Sequence, residues 1–327
     1  MAIHNPEAHN NAFVRVMRKA YHPIGFKKGY NAVLWFIFAG ALLGFSLSKL
    51  PIMNVNGVFS KQAAPGEWFW YSKKFYNIFI HIHLICIIPG SIFAVVQFIP
   101  IIRYKLLLLH RMNGYLVSLL LVAANIGALG IARHAFGGSI STQTAVGVLA
   151  IGTTTSLFLA IYNIKRLQID QHRAWMLRTW FWAGSIITVR MIMIIIATVI
   201  SQTSNYFTYY TVMRCEQISF TAGEHIASTY QSCKANPTGL AIVRANLSDP
   251  ANALEAAAAL QLGFDTAMWL AIVLHVVGIE LYLRLTPAET ERLRKVSYER
   301  QLERGMRQSG SAGLVAERLG DAEEYKP

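Results

Sequence analysis

The stretch QHRAWMLRTWFWAGSIITVRMIMIIIATVI, Gln171 to Ile200, decides the class of this protein. Its second half is apolar for about 20 residues, the length a helix needs to cross a hydrocarbon core of roughly 30 Å. Its first half places His172, Arg173 and Arg178 beside Trp175, Trp180 and Trp182. Cations and tryptophans at the threshold of an apolar run mark the head-group zone of a bilayer.

The same pattern recurs along the chain. Of its 327 residues 54% are hydrophobic and 14% charged, well below the roughly 25% charge of soluble domains. Apolar runs lie near residues 31–49, 77–100, 113–132, 143–163, 179–200 and 266–286. A bilayer core gives the backbone no water to bond with, so each run is expected to be a helix that satisfies its own N–H and C=O groups. The expected fold is all-α and polytopic, with about six transmembrane helices in a bundle. About 30 polar residues precede the first run without a small-residue cleavage site, so that run is read as an anchor that stays.

Charge sets the expected orientation. Alternate loops and the two tails carry 21 lysines and arginines, the opposite loops carry 8, and Arg190 lies alone in mid-span. The positive-inside rule then puts both termini in the cytoplasm. The net charge of +13 is thereby accounted for as an orienting and lipid-facing charge, with no nucleic-acid partner implied. The organisation expected is a cytoplasmic segment 1–30, a membrane domain 31–286 with a non-cytoplasmic loop at about 201–265, and a cytoplasmic tail 287–327. Residues 8–20 read as a basic amphipathic helix with Phe13, Val14 and Met17 facing inward. In the tail, residues 288–307 read as a solvated helix, and the last nineteen, SGSAGLVAERLGDAEEYKP, as disordered. ALEAAAALQL, 253–262, either extends the sixth span or lies flat on the outer surface.

The outer loop holds Cys215, Cys233 and the sequon Asn246-Leu247-Ser248, all on the side that is oxidising and glycosylating in a secretory pathway. A Cys215–Cys233 disulfide and a glycan on Asn246 are the expectation; two free thiols and an unused sequon are the alternative. Cys86, inside the second span, reads as packing. The membrane expected is that of the endoplasmic reticulum, the vacuole or the cell surface.

No Gly-rich phosphate loop, GxSxG elbow, HExxH or CxxC pair is present. Chemistry must then come from ionisable side chains within lipid, each of which costs at least about 2.5 kcal/mol to insert. They are His81 and His83 in the second span, His110 and Arg111 at the start of the third, Arg133 and His134 at its end, His172 and Arg190 in the fifth, and His275 and Glu280 in the sixth. His110 and His172 fall at the cytoplasmic boundary, whereas His83, His134 and His275 lie higher. One histidine pair near each face, on different helices, is the arrangement that stacked bis-imidazole haems require. The plainer alternatives are head-group contacts, histidines bonded to backbone carbonyls, and an Arg190–Glu280 ion pair across the bundle.

The motifs HRMNGY (His110 to Tyr115) and HRAWMLR (His172 to Arg178) follow a span, HIHLICIIPGSIFAVVQFIP, that offers His83, or His81, and Pro89-Gly90. Over about residues 75–200 this resembles the membrane family catalogued as domain of unknown function 2306, found in bacteria and fungi. The resemblance carries over His83, His110, Arg111, Gly114, His172, Arg173, Trp175, Met176, Arg178 and Arg190. It implies no secure activity. In span number and in histidines on several helices the chain also looks like di-haem cytochrome b reductases. Its outer loop and tail look like fungal versions of the fold, some of which accompany secondary-metabolite genes.

Two functional expectations follow. The first is a transmembrane redox protein with b-type haem, taking metal ligands from His83, His110 and His172, with His275 as a further cofactor-binding residue. There Arg111, Arg173 and Arg178 balance propionates, and an electron donor is the partner. The second is an intramembrane isomerase or cyclase acting on an apolar, lipid-like small molecule such as a terpenoid. Its proton donor is Glu280 or Asp170 and its base is His172 or His110, with Arg190 in the catalytic set. A transporter or a scaffold without catalysis is the third reading.

Overall fold

In the computed structural model of this chain, residues 12–203, 206–227 and 229–327 are described. Among the described residues, six helices are long and apolar enough to cross a membrane, one for each expected run. They follow a short basic helix, α1 (Ala12–Tyr21); residues 8–11 of the expected amphipathic helix, and the side chain of Phe13, lie outside the described residues. The spans are α2 (Gly29–Ser48), α4 (Lys74–Gln97), α5 (Leu107–Ile131), α6 (Ile140–Lys165), the joined pair α7 (Ile169–Ala183) and α8 (Ser185–Gln202), and α10 (Ala253–Arg284). A short helix, α3 (Glu67–Tyr71), lies between the first two spans.

Two boundaries differ most from the apolar runs, the starts of the fifth and sixth spans, for local reasons. QHRAWMLRTW lies wholly inside α7, which starts at Ile169 with Asp170 in its first turn, where a carboxylate favours the helix dipole. The sixth span absorbs ALEAAAALQL. Asn252 caps it by accepting from the Glu255 N–H at 3.1 Å, and the alanines carry the helix onward without loss of side-chain entropy.

The chain divides into two compact units. The first comprises residues 1–59, as far as described, and 82–124. There α4 is tied to α5 by side chains that bond backbone carbonyls: Asn113 Nδ2 donates to Phe93 O (2.9 Å), Gln97 Nε2 donates to His110 O (3.0 Å), and His83 Nδ1 lies 2.9 Å from Ala124 O. With no solvent at hand, such bonds offset the cost of burying polar groups. Gly90 lets the helices close, since a Cβ there would sit 3.3 Å from Leu120.

The second unit comprises residues 60–81 and 125–327. Its centre is the α8–α10 contact, where a Cβ on Gly263 would lie 2.7 Å from Met193 O. Ala145, Ala197, Ala267 and Ala271 are fully buried around it, the small-residue packing that membrane helices use for close approach. Over the C-terminal end of α8 and the N-terminal end of α10 sits a cap of β1 (Tyr210–Arg214), α9 (Cys215–Ala222) and β2 (Leu240–Arg244). The strands are antiparallel with Val212 opposite Ile242. Met213, Ala241 and Val243 pack inward on Ala197 and Ala257–Ala259. Cys215 and Cys233 are joined by a disulfide, and the Asn246 side chain accepts from the Ser248 N–H at 2.9 Å.

The C-terminal segment corrects the expectation of disorder. Helix α11 (Pro287–Glu303) buries Ser297 and Gln301 completely, and the chain after it folds back onto the α6–α7 turn. Gln301 Oε1 accepts from the Gly310 N–H (2.6 Å), Gln168 Oε1 from the Gly313 N–H (3.1 Å), and Asn163 Oδ1 from the Leu314 N–H (2.8 Å). Arg294 pairs with Glu317 at 2.7 Å. Composition hid this because the segment is held by buried amides, with Gly313 letting the backbone close on the Gln168 and Asn163 side chains, and not by an apolar stripe. Gln301→Ala strands those buried groups at a cost of about 2 kcal/mol, so limited proteolysis within residues 306–321 should speed up about thirtyfold. An unchanged cleavage rate would show that Gln301 does not hold the segment.

Candidate functional site

A buried acid–base cluster lies at the end of the second unit that carries the β1–β2 strands, and four elements build it. Helix α3, EWFWY, begins at Glu67, and Tyr71 stands one turn further along. Glu67 is 4% exposed. Its Oε2 accepts from Tyr71 Oη and from the Phe136 N–H, each at 3.1 Å. The second donor comes from the α5–α6 loop, HAFGGS. There Phe136, Gly137 and Gly138 have φ of +47°, +83° and +59°. Successive left-handed residues turn backbone N–H groups toward one point and form a concavity suited to an anion. For Phe136 that conformation costs roughly 1–3 kcal/mol. Its ring is held by stacking on Phe264 of α10, with centroids 4.4 Å apart.

Arg190 of α8 completes the cluster. Its guanidinium lies 4.7 Å from the Phe136 ring centre and 5.6 Å from that of Phe264. Burial pushes the Glu67 carboxyl up to about 7; the Phe136 N–H, the Tyr71 hydroxyl and the Arg190 charge act against the rise. Burial and the neighbouring Glu67 carboxylate raise Tyr71 well above the ordinary phenol range. The loop itself is fixed from below: Asp265 Oδ1 accepts from Ser139 Oγ (2.7 Å) and from Thr142 Oγ1, and Gln143 Nε2 donates to Gly138 O (2.8 Å).

Beside this cluster His134 stacks on Trp70, centroids 3.6 Å apart and planes 7° from parallel, with Nε2 2.9 Å from Tyr76 Oη. Burial, then the charges of Arg133, Lys73 and Arg214, push its imidazole down to about 4. It is neutral at neutral pH.

The other residues singled out from sequence are spread over both units. Glu280 is held by Arg178, Nε–Oε1 2.6 Å and Nη2–Oε2 2.9 Å. This replaces the suggested Arg190–Glu280 pair: Arg178 lies about three turns nearer the start of the fifth span, the end to which Glu280 also belongs. Arg173 Nη2 donates to Tyr282 Oη at 3.2 Å. Asp170, fully buried as a side chain, accepts from Gln168 (2.8 Å), Gln171 (3.1 Å) and Ser297 (3.1 Å). His172 Nδ1 lies 2.9 Å from Ala160 O. His275 places Nδ1 2.6 Å from Phe181 O, in the last turn before the α7–α8 break, and Nε2 2.8 Å from Thr188 Oγ1. His81 Nδ1 faces Asn77 O at 2.7 Å. His110 stands in the first turn of α5 beside an exposed Arg111. Among the described residues, no three His, Cys, Asp or Glu side chains gather in a metal-holding group.

Sequence reasoning found Arg190 and His134 but missed Glu67, Tyr71 and Asp265. It weighed ionisable groups in the apolar runs and their basic or histidine-bearing flanks, and gave no weight to an acid in the loop before the second span or to one at the threshold of the sixth. The signals were an aromatic-dense EWFWY opening on an acid, and a double glycine between two spans.

Comparison with known proteins agrees with this architecture. The chain is 24% identical over 324 aligned residues to "Ava biosynthesis cluster protein G" of Aspergillus versicolor, an alignment covering 84% of this chain and 94% of the relative. No solved structure matches. Residues 78–219 match the family model described as a predicted membrane protein, DUF2306, and the resemblance carried by HRMNGY and HRAWMLR is thereby borne out across the middle of the chain.

Proposed function

We propose that this multipass membrane protein is an enzyme that transfers a proton to or from an apolar metabolite, in an isomerisation or cyclisation, with Glu67 as the acid–base group. One observation carries the reading: a fully buried carboxyl that meets the Tyr71 hydroxyl and the Phe136 N–H, that burial pushes up to about 7, and that lies next to the residue whose ring stacks on Phe264. A carboxyl tuned to neutrality is both a sufficient acid and a recoverable base. Aromatic faces suit an apolar substrate and steady positive charge that develops on it. Arg190 and the Phe136 N–H favour the carboxylate left after donation. The donor is thus Glu67, in place of Glu280 and Asp170, whose oxygens are engaged in structural contacts. The named role of the Aspergillus versicolor relative in a biosynthesis cluster supports the same reading. The test uses the purified protein, apolar extract from cells lacking it, and deuterated water. Product bearing one solvent deuteron, absent with Glu67→Gln, is expected; conversion that survives the substitution would remove Glu67 from the role.

A second reading is a b-type haem protein. What supports it is that His83 and His172 each present Nδ1 to a carbonyl at 2.9 Å, the supporting bond that orients a ligating imidazole through Nε2. His275 has both ring nitrogens engaged, by Phe181 O and Thr188 Oγ1. Bound haem would supply one-electron chemistry. A Soret band and a reducible α band in purified protein are expected on this reading, and a colourless folded preparation would end it.

A further inference from the structure

The docked C-terminal segment creates a second site, at the opposite end of the second unit. Tyr162 stands in the last turn of α6, and Arg166 follows as its C-cap. The Arg166 guanidinium lies 5.7 Å from the Tyr162 ring centre, and that of Arg318, from the C-terminal segment, lies 6.0 Å from the same ring. Arg318 Nη1 is fixed by donating to Tyr162 Oη (2.6 Å) and Ala312 O (2.8 Å). Arg166, Arg318 and Arg307, with Met306, Gln308 and Glu324, line an open cleft of about 610 Å³.

Three guanidinium groups thus share one cleft with one carboxylate. Two of them converge on a single ring, so they stand within about 12 Å of each other and repel. A ring face offsets only part of that repulsion at an exposed site. A multivalent anion between them turns this repulsion into attraction, and guanidinium forks match phosphate oxygens two at a time. The order imposed on Arg318 by its two hydrogen bonds is already in place before any ligand arrives. The volume lies in the range of small-ligand sites, about 300–1,000 Å³. The cleft also adjoins the end of a membrane span, the level at which lipid head groups lie.

We propose that this cleft binds a phosphorylated anion, a phosphate monoester or diphosphate, carried by a lipid head group of the adjoining leaflet or by a soluble metabolite. Arg166 belongs to the α6–α7 turn, and Arg307 and Arg318 to the C-terminal segment. A bound anion therefore clamps that segment onto the membrane spans, independently of the chemistry proposed at Glu67.

The experiment uses the full chain in phosphatidylcholine nanodiscs. Binding of inorganic diphosphate is measured by titration calorimetry, and retention of phosphatidylinositol monophosphate built into the discs by native mass spectrometry. The double variant Arg166→Gln/Arg307→Gln leaves the Arg318–Tyr162 bond intact, and the single Arg307→Gln serves if the double variant unfolds. We expect at least one probe to bind, and the double variant to weaken it about tenfold or more, equivalent to at least about 1.4 kcal/mol. The probe affected identifies the source of the phosphate. Binding of neither probe, or binding undiminished in the variants, overturns the proposal.

Discussion

Glu67→Gln is expected to abolish turnover while leaving the fold in place. The amide is nearly the shape of the carboxyl, and its oxygen still accepts from the Phe136 N–H and the Tyr71 hydroxyl that hold Glu67 now. Only the transferable proton is lost. In the unsubstituted protein a general acid works in its protonated form, so the rate should fall as pH rises through about 7, the value to which burial lifts this carboxyl. Stability gives an independent check. With the folded value at about 7 and an ordinary value of 4.5, the folded state binds the proton more tightly. Below pH 4.5 both states are protonated and nothing is lost. Between there and about pH 7 stability declines, by on the order of 3 kcal/mol in all. Glu67→Gln removes this slope. Thermal unfolding at about pH 5 and pH 8 should therefore separate the two proteins at the higher pH and bring them together at the lower. Parallel profiles would mean that Glu67 is not held near neutrality, and the proposed chemistry would fail with it.

The β1–α9–β2 cap should be the part most sensitive to reduction. The Cys215–Cys233 bridge closes a loop with a sequence separation of 18, for which chain entropy predicts about 3 kcal/mol. The cap is two short strands and small helices, too little structure to stand alone. Cys215→Ser/Cys233→Ser, or a reductant acting on the unsubstituted protein, is expected to open residues 215–235 to protease while the six long helices keep their protection. Reductant should have no further effect on the double variant. Equal protease resistance with and without the bridge would show that packing on Ala197 and Ala257–Ala259 suffices.

The membrane architecture was legible because lipid imposes one rule on every span: a backbone that must satisfy itself over about 30 Å. All six spans announced themselves as apolar runs, and only their ends moved, where Asp170 and the Asn252 cap extend helices past the hydrocarbon limit. The paired cysteines were legible for a similar reason, being two thiols in one loop. The tail was not. Its order comes from Gln168, Gln301 and Asn163, three amides 5 to 138 positions apart that meet only in the folded chain.

The site divides along the same line. Sequence by itself determined that this chain is a six-span membrane protein with cations banked at one end of its spans, because solvation and charge act on each segment separately. Tertiary structure alone decided which polar groups meet: Arg178 takes Glu280, and Arg190 stands over Phe136 and Phe264 beside Glu67. Partner choice depends on close approach, and that was set by Gly263 against Met193 and by the left-handed turn at Phe136–Gly138, features without any charge or hydropathy signal.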